Sequence, residues 1–281
     1  MTEAEEIPDL FFYRPLAFVF VKMIYRTPIT PNQVTVLSGF FGVVAAWMFS
    51  IGNAQTLLWG ASLYATANIL DCADGQLARL QRSGTLLGRI VDGVADYISS
   101  IAIFVGIGVG LAARSESAWL LVVAAGASSA LHALFFDHYQ NEFISTVRSE
   151  RNFLEQEIEK FAHETARLRT SGHNTLRVIV LSLYSRYLQL QHFSNTKKQS
   201  VEYDPLAYKS ANELMIRMWS VLGPTTNRTL LIICAIAGNI PAYLWIVLVG
   251  GNLYFIAAYI LQRSIHRKLV RDTSHRTVLA E

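Results

Sequence analysis

The sequence predicts an all-α integral membrane protein. It has six transmembrane helices, an interfacial helix ahead of them, and a cytosolic helical insertion between helices 4 and 5. Three observations point there. Of 281 residues, 52% are hydrophobic and 16% charged, against about 25% charged in an ordinary soluble domain. Mean hydropathy is +0.31. The apolar residues gather into runs suited to crossing a hydrocarbon core about 30 Å thick. The net charge of +3 is mild and points to no nucleic-acid partner. Cys72 and Cys234 lie in apolar runs without metal-ligand spacing and read as small buried side chains.

Residues 1–33 form an N-terminal juxtamembrane amphipathic segment. Its start, Met-Thr-Glu-Ala-Glu-Glu, is acidic where a secretory leader is basic, so the first span is expected to serve as the uncleaved insertion signal. Residues 10–27 are apolar but interrupted by Arg14, Pro15, Lys22 and Arg26, which suits a helix lying at the headgroups better than a span. Pro31 then stops that helix, and Asn32 or Thr35 is placed to cap the next.

Residues 34–139 hold spans one to four, at 34–51, 57–80, 85–113 and 119–138. Residues 140–224 form a cytosolic helical insertion, richer in charge. A solvated helix is expected over 150–169, a more apolar one over 176–190, and an amphipathic one from Pro205 to about Leu222. Gly223-Pro224 ends that last helix, and Thr225, Thr226 or Asn227 is placed to cap the fifth span. Residues 225–281 hold spans five and six, at 226–240 and 242–261, and a basic cytosolic tail, with Pro241 breaking or kinking the pair. With both termini cytosolic, the outer loops 52–56, 112–118 and 240–242 hold one basic residue, Arg114. That agrees with the positive-inside rule.

The chemistry is concentrated on the second and third spans. The run Asp71-Cys-Ala-Asp74-Gly75-Gln-Leu-Ala78-Arg79 is followed, after eight residues, by Gly88-Arg-Ile-Val-Asp92-Gly-Val-Ala-Asp96. Spacings of three and four put Asp71 with Asp74, and Asp92 with Asp96, on single helix faces. The two halves meet at the same membrane face, which the charge placement makes cytosolic. A carboxylate near the centre of a spanning helix costs about 2.5–3.5 kcal/mol. Four converging carboxylates repel, and the nearby Arg79 and Arg89 are too few to neutralise them. Divalent cations resolve the repulsion, and an all-oxygen site favours Mg²⁺ or Mn²⁺. Gly75 and Gly88 leave room for a ligand beside the backbone. Arg79, one turn past Asp74, can reach a phosphate oxygen. Together these point to phosphoryl transfer.

With these residues the chain resembles the CDP-alcohol phosphotransferase (CDP-alcohol phosphatidyltransferase) family, whose motif is D-x-x-D-G-x-x-A-R, eight residues, then G-x-x-x-D-x-x-x-D. All eight fixed identities are present. Thr30-Pro31-Asn32 before the first span is similar to an element in many members. The resemblance is strong over spans one to four, holds only by pattern over spans five and six, and does not cover the insertion.

It implies an enzyme of the phospholipid-biosynthesis type that transfers a phospho-alcohol group from a CDP-alcohol to a hydroxyl and releases CMP. It also implies metal ligation by Asp71, Asp74 and Asp92, with Asp96 sharing the metal site or acting as catalytic base, and two ions of Mg²⁺ or Mn²⁺. Gly75, Ala78, Arg79 and Gly88 would bound the nucleotide, and the protein would be a homodimer among membrane lipids. For the acceptor, Arg228, His132 and His138 are the candidates near the same face.

Donor and acceptor remain open between two cases. Phosphatidyl transfer from CDP-diacylglycerol to a polar acceptor is favoured. The alternative is transfer from CDP-choline, CDP-ethanolamine or CDP-inositol to diacylglycerol or another alcohol. An intramembrane prenyltransferase also uses aspartates and Mg²⁺ but lacks this run of glycine, alanine and arginine. A divalent-cation transporter would need acids on several spans along a conduction path.

Overall fold

The computed structural model describes residues 2–84, 86–113, 115–148, 166 and 204–278. Among them every regular element is helical, and no strand occurs. After a short turn at Thr2–Ala4, a π-helical turn at Asp9–Tyr13 leads into α1 (Arg14–Ile24). Next come α2 (Pro31–Ile51), α3 (Ala54–Gln81), α4 (Leu86–Ala112) and α5 (Ala118–Arg148). Beyond the insertion lie α6 (Pro205–Ser220), α7 (Pro224–Ile236) and α8 (Ile240–Trp245). A π-helical stretch at Ile246–Gly251 joins α8 to α9 (Asn252–Val278). Two compact units divide the chain, one from residues 1–137 and 217–258, the other from 138–216 and 259–281.

In the first unit, local sequence sets the helix ends. Thr30, not Asn32 or Thr35, caps α2. Its hydroxyl accepts the Gln33 N–H while the Gln33 side chain accepts the Thr30 N–H at 2.9 Å. Asn53 and Thr56 make the same reciprocal cap for α3. Gly238, at φ 69°, ends α7, and Asn239 caps α8 with Pro241 in its first turn. Pro241 therefore starts a helix and does not kink one. Pro224 likewise opens α7, and α6 already ends at Ser220.

The core forms where α2 meets α3 and α4. Ser38 donates to the Ala67 carbonyl at 2.9 Å, tying α2 to α3. Gly106 and Gly110 lie one turn apart on α4, and a Cβ at either would collide with the Ala46 or Phe49 carbonyl oxygen of α2. Gly42 of α2 faces the Ser99 side chain of α4, where a Cβ would come within 2.7 Å of the hydroxyl oxygen. Without a hydrophobic drive between helices in lipid, such small-residue contacts give van der Waals packing its reach. Both halves of the aspartate motif are thereby fastened to α2. Tyr13, Ala17 and Val21 at the N-terminal segment are buried, and Ala17 and Val21 pack with Leu70, Ala73 and Leu77 of α3. Phe11, Phe12, Leu16, Phe18, Val19 and Met23 remain exposed on its other side. That exposure suits a helix at a lipid interface.

Four helices are long and apolar enough to cross a membrane, judged by length and composition: Pro31–Ile51, Ile90–Ala112, Ala118–Arg148 and Ile240–Leu269. α3 has 28 residues but carries the polar motif. α7 has 13 residues, a rise of about 20 Å against a core of about 30 Å. α5, expected as the fourth span, runs to Arg148, past the expected end at 138, because residues 139–148 are more polar but contain no proline or glycine. In the second unit, the Tyr208 hydroxyl of α6 donates to Glu142 and Gln262 donates to Asn212, both buried or half-buried links. The helices expected over 150–169 and 176–190 fall almost wholly outside the described residues.

Replacing Gly106 by alanine is expected to lower the thermal midpoint of the purified protein in detergent by several degrees, because overpacking typically costs about 1–3 kcal/mol. Gly93→Ala, where an added Cβ meets nothing within 4 Å, should leave the midpoint unchanged or slightly raised. Thermal unfolding of the two variants side by side checks this.

Candidate active site and metal centre

Helices α3 and α4 bring three of the four motif aspartates together. Asp71, Asp74 and Asp92 each offer a carboxylate oxygen, and the three oxygens lie within 4.8 Å of one another. Ligands on opposite sides of an octahedral Mg²⁺ sit about 4.2 Å apart, twice the metal–oxygen distance. Small side-chain rotations would close the difference. The donor set is all carboxylate oxygen, which suits Mg²⁺ or Mn²⁺. Asp74 is buried, and the Thr35 hydroxyl of α2 donates to its Oδ2 at 2.5 Å. That bond orients the Asp74 carboxylate at the cluster.

Asp96 stands apart from this group of three and meets Arg228 instead. The Arg228 Nη2 lies 3.0 Å from Asp96 Oδ1, and its Nη1 lies 3.6 Å from Asp71 Oδ2. Nη1 also donates to Asn68 Oδ1 of α3 at 3.0 Å. Arg228 is thus a bridge from α7 to both halves of the motif. Its planar fork can serve several oxygens at once, which a lysine ammonium does less well. Arg79 is exposed, and its guanidinium reaches back over Gly75: a Cβ added there would sit 3.6 Å from its Nη1. Ala78 is half-buried beside it, and Gly88 is half-buried in the first turn of α4.

The other two acceptor candidates have different surroundings. His132 is buried, its Nε2 3.0 Å from Asn252 Oδ1, and its ring stacks on Phe255. It belongs to the packing of α5 against α9. His138 lies in the second unit, where its Nε2 is 3.6 Å from Glu142 Oε2.

The N-terminal segment grips α3 and α7 from behind the site. Asp9 accepts from Cys72 Sγ at 3.6 Å and from the Thr225 hydroxyl at 3.1 Å. Gln76 donates to the Arg14 carbonyl, and the Tyr13 hydroxyl lies 3.1 Å from that of Thr229. Cys72 and Gln76 are four apart on α3 and share the face turned toward this segment. Arg14 in turn pairs with Glu5. Glu6 accepts from the backbone N–H groups of Thr225 and Thr226, at 3.2 and 2.6 Å. Burial pushes Glu6 up to about 7, against hydrogen bonds from Thr226 and Thr225 that favour the charged form. Burial also raises Asp9.

Residues 28–149, the stretch holding α2 to α5, match the family model described as CDP-alcohol phosphatidyltransferase. The chain carries a CDP-alcohol phosphatidyltransferase domain. It is 34% identical over 84 residues to a phosphatidylinositol phosphate synthase of Corynebacterium glutamicum, covering 30% of this chain and 37% of that protein. A phosphatidylinositol phosphate synthase of Mycolicibacterium smegmatis is 34% identical over 95 residues, 34% of this chain and 40% of the relative. An archaetidylinositol phosphate synthase of Pyrococcus horikoshii is 31% identical over 102 residues, 36% of this chain and 53% of the relative. The chain thus spans between about a third and about a half of the length of these relatives. Every aspartate of the cluster lies inside the matched domain, and Arg228 lies outside it.

Two roles escaped the sequence. Thr35 was readable as a helix cap, and only the packing of α2 on α3 turns its hydroxyl to Asp74. The pairing of Arg228 with Asp96 and Asp71 depends on where α7 docks, which no local spacing encodes.

Thr35→Val keeps the shape and removes the donor to Asp74. It should weaken Mn²⁺ binding by roughly 10–100-fold, the usual effect of removing a partner that orients a ligand. Titration of the Mn²⁺ paramagnetic resonance signal reads this directly. Separately, Glu6 binds its proton more tightly in the docked segment than in a released one. Docking is therefore fully favoured below the ordinary value near 4.5 and weakens as pH rises through about 7. Amide exchange of residues 6–14, corrected for intrinsic rates, should show less protection at pH 8 than at pH 6.

Proposed function

We propose that this protein is a multi-pass membrane enzyme that transfers a phosphatidyl group from CDP-diacylglycerol to a polar alcohol, releasing CMP. The observation that carries this is the convergence of Asp71, Asp74 and Asp92 within the matched domain. The relatives named for phosphatidylinositol phosphate and archaetidylinositol phosphate support a lipid donor and an inositol phosphate acceptor. Four apolar helices support the membrane location. In this reading α3 and α7 also span, which makes six crossings, and the motif and both termini face the cytosol. The active form is a homodimer, and two ions of Mg²⁺ or Mn²⁺ are held by Asp71, Asp74 and Asp92.

A bound divalent ion would neutralise the donor's diphosphate and the charge left on CMP. Arg79, poised over Gly75, would bind a diphosphate oxygen, while Gly75, Ala78 and Gly88 give the nucleotide close access to the backbone. Asp96 is paired with Arg228 through Oδ1, which leaves Oδ2 to take the proton of the acceptor hydroxyl. The acceptor oxygen bonds to the β-phosphorus as the bond from that phosphorus to the oxygen retained by CMP breaks. A carboxylate is a weak base for an alcohol, so proton transfer accompanies attack. Arg228 orients Asp96 and offers a positive charge to a phosphorylated acceptor.

The test is CMP release by purified protein with Mg²⁺ or Mn²⁺. CDP-diacylglycerol is paired with inositol phosphate, glycerol phosphate or serine, and CDP-choline, CDP-ethanolamine or CDP-inositol with diacylglycerol. Release confined to CDP-diacylglycerol and absent in Asp92→Asn is expected. Release only from a polar donor would move the assignment to the alternative branch. Asp96→Asn should abolish turnover and keep CMP–Mn²⁺ binding; retained turnover would remove Asp96 as base.

A further inference from the structure

The first turn of α7 is capped from a distant part of the chain. α2 and α3 carry their own side-chain caps, but the N-cap of α7 is Gly223, which has none. Glu6 supplies it. Its Oε1 accepts the Thr225 N–H at 3.2 Å and its Oε2 accepts the Thr226 N–H at 2.6 Å. The Thr226 hydroxyl lies 2.8 Å from the same Oε2. These are the free N–H groups that a helix start leaves unpaired. The sequence makes room for this. A Cβ on Gly223 would collide with the Glu6 carboxylate, so the usual Ser, Asp or Asn there would push Glu6 off the helix start. Glu6 is 4% exposed, too buried to be a surface charge that falls there by chance.

The turn that Glu6 caps ends in Arg228, two residues past Thr226. We propose that Glu6 is a positioning residue, capping α7 in trans and thereby setting the Arg228 guanidinium against Asp71 and Asp96. The proposal deepens the transferase reading and rests on it only for its kinetic readout. Asp9 assists by accepting from the Thr225 hydroxyl. Asn227 is fixed independently, donating to Ser129 and accepting from the Tyr243 hydroxyl at 2.6 Å. Loss of Glu6 should therefore loosen the first turn and leave the rest of α7 in place.

The test combines Glu6→Ala, Arg228→Ala, Gly223→Asp and their combinations, with three readouts. Glu6→Ala should lower kcat by roughly tenfold, the scale of a lost cap, and leave CMP–Mn²⁺ affinity unchanged. In the Arg228→Ala background it should have no further effect, as expected for residues acting as one unit. Gly223→Asp should damage the wild type, where it meets Glu6, and restore the Glu6→Ala variant by capping α7 in cis. Amide exchange should show lost protection confined to the first turn of α7 in Glu6→Ala, recovered in Glu6→Ala/Gly223→Asp.

Four outcomes would overturn the proposal: unchanged kcat, effects of Glu6 and Arg228 that multiply, loss of CMP–Mn²⁺ binding together with kcat, or no rescue by Gly223→Asp. If Glu6→Ala does not fold, Glu6→Gln, which keeps one acceptor oxygen, takes its place in the kinetic, binding and Arg228→Ala comparisons, and the shorter Glu6→Ser, which clears the space beside Gly223, takes its place in the Gly223→Asp rescue. Absence of both CMP release and CMP–Mn²⁺ binding in the wild type would instead sink the transferase reading, and the exchange data would still decide whether Glu6 caps α7.

Discussion

Mutual repulsion among carboxylates at the end of an apolar bundle is the constraint around which this protein is arranged. Two unit charges 4.8 Å apart repel by about 3.5 kcal/mol at an effective dielectric constant of 20. Asp71, Asp74 and Asp92 are held that close, with Asp96 one turn further along α4. Nothing in the two short motif segments supplies enough positive charge to offset this. The Thr35 hydroxyl steadies Asp74 from α2, and Arg228 enters from α7 to pair with Asp96 and Asp71. A divalent cation among the three clustered acids would complete the balance.

The scaffold keeps the acids in place by close backbone approach and buried polar links. Gly106 and Gly110 let α4 lie against α2, while Ser38 bonds α2 to the Ala67 carbonyl of α3. α7 is pinned by Asn227 to Ser129 and Tyr243 and by Thr229 to Tyr13. In a lipid-facing protein such bonds take over part of the role that water-driven apolar burial has in a soluble core. Their concentration around α7 makes physical sense, because that short helix carries the cation the acids need.

What was legible in the sequence follows from the range of each interaction. The aspartate motif is two local helical periodicities, so its convergence could be read from spacings of three and four. The helices at Pro31–Ile51, Ala54–Gln81, Leu86–Ala112 and Ala118–Arg148, and the turns between them, follow from hydropathy and breakers. Boundaries shifted where polarity changed without a breaker, as in α5 beyond residue 138, or where a proline opened a helix, as at Pro224; the break expected at Pro241 is present and falls just before it, at Gly238–Asn239. Capping of α7 by Thr225, Thr226 or Asn227 was a sound local expectation. A glutamate far away in sequence holds that end instead, and only the bare Gly223 hinted at it. Arg228 was recognisable as a candidate for phosphate, but its bond to Asp96 is a product of long-range docking.

The most direct test of the central claim is anomalous diffraction at the manganese edge from crystals grown with MnCl₂ and CMP. A peak bounded by the carboxylates of Asp71, Asp74 and Asp92, with CMP beside Gly75 and Arg79, is the expected result. Manganese at another site, or CMP bound with no metal among these three aspartates, would contradict the account.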